Sequence, residues 1–247
     1  MSLARAALCA TIALAAAACA RSIHAAAPMP AHAGTSPMAV AAPVALPPQA
    51  NPSEAKFIRA VAADLNRRFP ASADARRGGY VRYTAEDQDG IISYTNLHWF
   101  GDDPKHPTQL WYDAAGRLIG TDFTMPVRDK TRRPEVWGLR PGRWVHFIAH
   151  MHYVVREADG TMRYGSMFDG AYREAGGDPN HPTAQPLVKA GVTKRASDVR
   201  LIFQLPEIWI TSFWVIPNRL GAFADSNPDV KPTKGEHQST HPAQPTP

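Results

Sequence analysis

The sequence predicts an α+β fold dominated by one antiparallel β-meander, and three observations carry that prediction. From Tyr80 onward apolar and polar residues alternate with period two. Turn signals separate the alternating runs into three successive hairpins. A single amphipathic helical stretch precedes them, with Phe57, Val61, Leu65 and Phe69 recurring every four residues. A sheet with one apolar face needs a cover. The meander is therefore expected to curl, barrel-like or as a sandwich, with the N-terminal helix packed on it.

The elements follow in order. Arg5 supplies a positive n-region and Ala6 to Ala18 an apolar run, so residues 1–20 read as a secretory signal peptide. The run is shorter than the ~20 apolar residues that a bilayer span requires. Ala16-Ala17-Ala18-Cys19 also has the shape of a lipoprotein signal, in which Cys19 would carry the lipid. Ordinary cleavage after Ala20, Ala26 or Ala33 is the alternative. Residues 21–50 are largely Ala, Pro and small polar residues, the composition of a disordered linker or tether.

One globular domain is expected over residues 51–232. Pro52-Ser53 opens its helix and Pro70 ends it. A short second helix, Ser72 to Arg77, is closed by Gly78-Gly79. The hairpins then pair Tyr80 to Thr84 with Ile91 to Trp99, Gln109 to Asp113 with Arg117 to Thr124, and Trp144 to Glu157 with Thr161 to Phe168. Ile208 to Val215 is a late strand. Residues 233–247 read as a disordered tail.

Composition excludes some functions. The formal charge of +5 is modest, and the arginine pairs are scattered without interleaved aromatics, so nucleic acid is not an expected partner. Of the two cysteines, Cys9 lies within the signal and Cys19 is lipidated or removed. The mature domain then has no disulfide and no thiolate chemistry. No Gly-x-Ser-x-Gly elbow and no phosphate-cradling glycine loop occurs.

The most chemically suggestive stretch is His146-Phe-Ile-Ala-His150-Met-His152-Tyr-Val-Val155. Read as one strand, Val145, Phe147, Ala149, Met151, Tyr153 and Val155 share an apolar face, and His146, His150 and His152 share the other. Residues two apart on a strand face have Cα atoms about 6.5 to 7 Å apart, from which two imidazoles can converge on one ion. His146, about 13 Å from His150, falls outside that reach. A third ligand would come from Glu157, His98, His106 or His181, and Zn or Fe(II) suits such nitrogen and oxygen donors.

His150-x-His152 followed by Glu157 is similar to the first metal-binding motif of cupins, across Gly142 to Gly165. The glycine spacings depart from that pattern on both sides, and no second motif follows residue 165. The resemblance places Glu157 among the candidate ligands and does not assign the chain to that family.

A short repeat adds two loops. Asp103-Pro-Lys-His106-Pro-Thr108 returns as Asp178-Pro-Asn-His181-Pro-Thr183. Both read as rigid strand-connecting turns; the alternative is that each presents a His to one ligand site.

These readings converge on an exported cell-envelope protein, periplasmic, anchored to the outer membrane by a lipid, or secreted. Its expected role is non-catalytic binding of a small ligand or an envelope partner. The alternative is a metal-dependent periplasmic enzyme built on His150 and His152.

Overall fold

The structure is a computed structural model that describes residues 39–41, 46–101 and 103–233. The signal peptide, Cys19 and the tail after 233 lie outside the described residues. Most of the fold is antiparallel β-sheet, in two sheets that do not close into a barrel.

The larger sheet contains β1 (Ala39–Ala41), β2 (Val81–Arg82), β3 (Ile92–Thr95), β4 (Gln109–Tyr112), β5 (Leu118–Pro126), β6 (Val145–Phe147) and β10 (Ile208–Trp214), in the order β1-β6-β10-β5-β4-β3-β2. The smaller contains β7 (His150–Arg156), β8 (Met162–Phe168) and β9 (Val199–Leu205), with β7 in the middle. The three expected hairpins pair as the alternation and turns dictate, at β2–β3, β4–β5 and β7–β8. Gly90, Gly116 and Gly160, with φ of 77°, 77° and 88°, take the left-handed positions of the turns.

Helix α1 (Pro52–Arg68) starts at a reciprocal cap. Asn51 Oδ1 accepts from the Glu54 amide at 2.9 Å, and Glu54 Oε2 accepts from the Asn51 amide at 3.0 Å. Its Ile58, Val61 and Leu65 are buried in one core with Tyr94, Leu110, Tyr112, Phe123 and Phe213 of the larger sheet. Each such side chain contributes on the order of 1.5 to 3 kcal/mol through the apolar area it removes from water. Glu54 itself is buried at 0 % exposure, where Arg140 and Arg143 clamp its carboxylate at 2.9 to 3.1 Å.

The opposite side of the larger sheet meets the smaller sheet. Tyr83 and Ile208 pack there with Phe203 and Leu205 of β9, and Ala85 packs with Val154 and Tyr164. The outer face of the smaller sheet, with Met151, Tyr153 and Val155, is covered by Tyr172 of α3 (Asp169–Glu174) and Leu187 of α4 (Gln185–Lys189).

Three features differ from the sequence reading. The stretch 145–156 is two strands rather than one. The chain leaves the larger sheet after Phe147 and enters the smaller at His150, crossing at Ile148–Ala149. The single apolar face is thereby divided: Phe147 packs with Tyr83 and Phe203, while Met151 packs with Tyr172 on the far side of the smaller sheet. Second, the end of the stretch read as linker belongs to the fold. Ala39–Ala41 pair with β6, the Pro48 carbonyl accepts from the Phe223 amide at 3.0 Å, and the Gln49 carbonyl accepts from Arg143 at 2.9 Å. Third, β9 was not anticipated; it pairs along β7 and completes the smaller sheet.

Candidate functional site

The crossing at Ile148–Ala149 creates the geometry of the histidine pair. It turns the Ile148 carbonyl towards the ring two residues on, and His150 Nδ1–H donates to it at 2.7 Å. That bond leaves the lone pair on His150 Nε2. His152 Nε2 stands 3.0 Å away and supplies the proton between them. Burial pushes His150 down to about 4, although the bond to Ile148 opposes that shift, so the ring is neutral at pH 7.

The pair sits in the seam between the sheets, with His150 4 % and His152 6 % exposed. Phe203 stacks on His152 at 5.3 Å between centroids, and Tyr83 meets it edge-on at 4.8 Å. Burial raises the Tyr83 phenol well above its ordinary range, and its hydroxyl donates to Gln109 Oε1. The phenol therefore stays protonated. Both imidazoles point where the alternation of β7 places them, and their ring nitrogens converge.

The other candidates fall elsewhere. Glu157 lies five residues beyond His152, about 16 Å along the strand. There it closes the β7–β8 turn, its carboxylate pairs with Arg163, and its amide donates to the Thr161 carbonyl at 2.8 Å. His98 and His106 line a shallow hollow with Trp99, Phe100, Gly101 and Asp103. His106 Nδ1 bonds Asp103 Oδ2 at 2.7 Å, and its ring lies 4.5 Å from Trp99. His181 is exposed and does not line that hollow. The two repeat loops build the same turn, in which the Asp side chain accepts the amide two residues on at 2.9 and 3.0 Å. Its carbonyl accepts the His amide at 3.1 Å in both loops. Among the described residues no three His, Cys, Asp or Glu side chains gather as a metal-holding group.

His146 has a separate environment that the sequence did not suggest. On β6 it points to the opposite side of the larger sheet, against Trp209 at 5.0 Å. Its Nε2–H donates to Glu207 Oε1 at 2.8 Å, and Lys130 holds the same oxygen at 2.8 Å. These bonds, that from Lys130 foremost, hold the Glu207 carboxyl below its ordinary range.

Beside this cluster opens a groove of about 670 Å³. Phe100, Met125, Val136 and Trp209 give it apolar lining, and Arg128, Arg132 and Arg133 give it cationic lining, with Asp129 and Glu135 also present. The loop from Val127 to Pro134 is drawn against β10 here, far from it in sequence. Trp209 is a core residue, 3 % exposed, that also lines the groove, and the fold brings Arg132 and Arg133 beside it.

Compared with protein-family models, curated proteins and solved structures, the chain finds no match.

Proposed function

We propose that this protein is an exported cell-envelope domain that binds a small ligand without transforming it, and that the groove beside Trp209 is its binding site. The reading rests on one observation: an open groove of about 670 Å³ brings apolar Phe100, Met125, Val136 and Trp209 together with charged Arg128, Arg132 and Arg133. Small-molecule sites commonly have that size, about 300 to 1,000 Å³. Export is supported by the positive and apolar segments of residues 1–20, with anchoring through Cys19 as the membrane-bound form. The domain of residues 51–232 is read as a sheet covered on one side by α1 and on the other by the smaller sheet. A small molecule or an envelope protein is the partner class, and nucleic acid is not.

The test is a small-molecule panel read by NMR on the isotope-labelled chain. Compounds that shift the Trp209 indole N–H, assigned with Trp209→Phe, while leaving the Trp111 indole unmoved support the groove. A panel in which hits move only resonances remote from Trp209 overturns it.

A second reading, a metal-dependent enzyme, is favoured by the His150–His152 geometry. Nitrogens bound to one tetrahedral Zn at about 2.1 Å stand roughly 3.3 Å apart, close to the separation found here. Zn or Fe(II) would replace the shared proton, and a Lewis-acid centre would take its remaining ligands from solvent or substrate. Metal analysis of the chain beside His150→Ala/His152→Ala decides it: near-stoichiometric metal lost in a folded variant supports the reading, and no uptake after Zn and anaerobic Fe(II) reconstitution ends it.

A further inference from the structure

We infer that the groove selects an acidic small molecule, one in which a sulfonate, carboxylate or phosphate is carried on a flat apolar body. This deepens the binding-domain reading and rests on it.

The loop between β5 and the short 3-10 helix at Pro141–Arg143 supplies the cations of the groove. Arg128 and Arg132 are exposed and line the groove; the Arg132 amide donates to the Asp129 carbonyl at 3.4 Å, while no side-chain hydrogen bond holds either guanidinium to the described residues. Arg133 is half-buried. One of its guanidinium nitrogens donates to the Trp144 carbonyl at 2.9 Å, and the group lies 5.7 Å over the Trp209 ring. Lys130, between them in sequence, is turned away to Glu207 at 2.8 Å. The lining thus presents guanidinium groups rather than an ammonium.

Two carboxylates, Asp129 and Glu135, share the lining with three arginines and leave an excess of one positive charge; Asp129 is tied to its own loop. Its Oδ1 accepts from the Thr131 amide at 2.8 Å and the Thr131 hydroxyl at 2.7 Å. Glu135 is exposed and lines the groove. A guanidinium is weakly hydrated, stacks on aromatic faces and matches two oxygens of an anion at once. Arg128 and Arg132 are exposed, so their attraction for an anion is sensitive to salt. A neutral apolar ligand would bury the same body and leave Arg128 and Arg132 unused, and the excess of one positive charge in the lining disfavours a cationic ligand.

Two fluorescent probes that share an N-phenylnaphthylamine body separate the possibilities: 8-anilino-1-naphthalenesulfonate, which is anionic, and N-phenyl-1-naphthylamine, which is neutral. Each is titrated into the full chain, with the Trp209 indole resonance followed in parallel. The sulfonate is expected to bind at least about tenfold tighter, an advantage that charge-assisted hydrogen bonds supply. That advantage should shrink in 0.5 M salt as screening sets in. Arg128→Gln/Arg132→Gln, two exposed changes checked by circular dichroism, should abolish it and leave neutral-probe binding intact.

Equal affinities for both probes with Trp209 perturbed would overturn the acidic preference and leave the groove standing. No perturbation of Trp209 by either probe would overturn the groove reading itself. Capture by phosphatidylglycerol vesicles without binding of free probe would overturn the inference in favour of a charged surface patch.

Discussion

His150 Nε2 and His152 Nε2 face each other at 3.0 Å within the seam between two β-sheets, and the Ile148 carbonyl dictates which of them carries the proton. A pair so arranged is either a structural hydrogen bond or two-thirds of a metal site. The distinction is experimental. If an ion is held here, Glu157 contributes nothing to it, because its carboxylate is engaged with Arg163 at the hairpin turn. Glu157→Gln is therefore expected to keep metal affinity within about twofold, whereas removing a true ligand costs far more. Competition titration with a chromophoric chelator measures this; a tenfold loss in Glu157→Gln would contradict the placement.

The clamp on Glu54 should set an acid limit on stability. Burial alone would raise the carboxyl, but the hydrogen bonds from Arg140 and Arg143, and then from the Asn51 and Arg140 amides, outweigh it and bring it down to about 2. The folded value lies below the unfolded one of 4.5, so the stabilisation is complete above pH 4.5 and is lost as pH falls towards 2. The shift corresponds to about 3 kcal/mol. Urea unfolding at pH 7 and pH 3 should show about 2 kcal/mol of that loss in the native chain, the rest appearing only below pH 3. Glu54→Gln should lose a comparable amount at pH 7, since it leaves two guanidinium groups without their carboxylate, and should show a shallower decline in acid.

Glycine positions divide sharply by what surrounds them. A Cβ at Gly120 would meet Trp111 Cε3 at 2.2 Å, and Trp111 is held by its indole bond to Asp122 Oδ2 at 2.9 Å. Gly120→Ala is expected to cost about 1 to 3 kcal/mol by overpacking. Gly170, inside α3, has nothing within 4 Å of such an atom, so Gly170→Ala should be neutral or stabilise by up to about 1 kcal/mol. Thermal denaturation of the two variants, side by side, should give shifts of opposite sign or one near zero.

The cross-strand contact at Gly165 offers a check on the histidine seam. The Tyr153 ring lies over this glycine, and a Cβ there would stand 2.5 Å from Tyr153 Cζ. Tyr153 lies on the outer face of β7, away from the histidines. Gly165→Ala should lower stability by about 1 to 3 kcal/mol while preserving the His150–His152 bond. The imidazole N–H signals in NMR spectra report that bond directly; their disappearance in a folded Gly165→Ala would mean that the two faces of β7 are not independent.

Much of the local structure was legible in the residues. Alternation and turn glycines are short-range signals, and they located the hairpins at Gly90, Gly116 and Gly160, each of which adopts positive φ. The same alternation put His150 and His152 on one face, which a strand guarantees through its two-residue period. Strand β9 escaped because Val-Arg-Leu-Ile-Phe-Gln-Leu mixes apolar residues on both faces, and Leu201, Ile202 and Phe203 are indeed covered from two sides.

What the sequence could not decide is set by contacts between residues distant along the chain. Phe147-Ile148-Ala149 puts three apolar residues in a row where the alternation should hold, but such a run does not by itself mark a crossing between sheets. The break exists because β6 pairs with β10 while β7 pairs with β8 and β9. That crossing separates His146 from His150, gives the first Glu207 and the second Ile148 and His152, and leaves Glu157 at the far end of the hairpin. The groove has the same origin. Arg128 to Arg133 and Trp209 are neighbours only because β10 inserts beside β5, a pairing whose free energy is spread over the whole ladder. Hairpins, turns and the facing of the histidine pair follow from short-range pattern; the extra strand, the crossing and the side chains that share a site follow from pairing between distant segments.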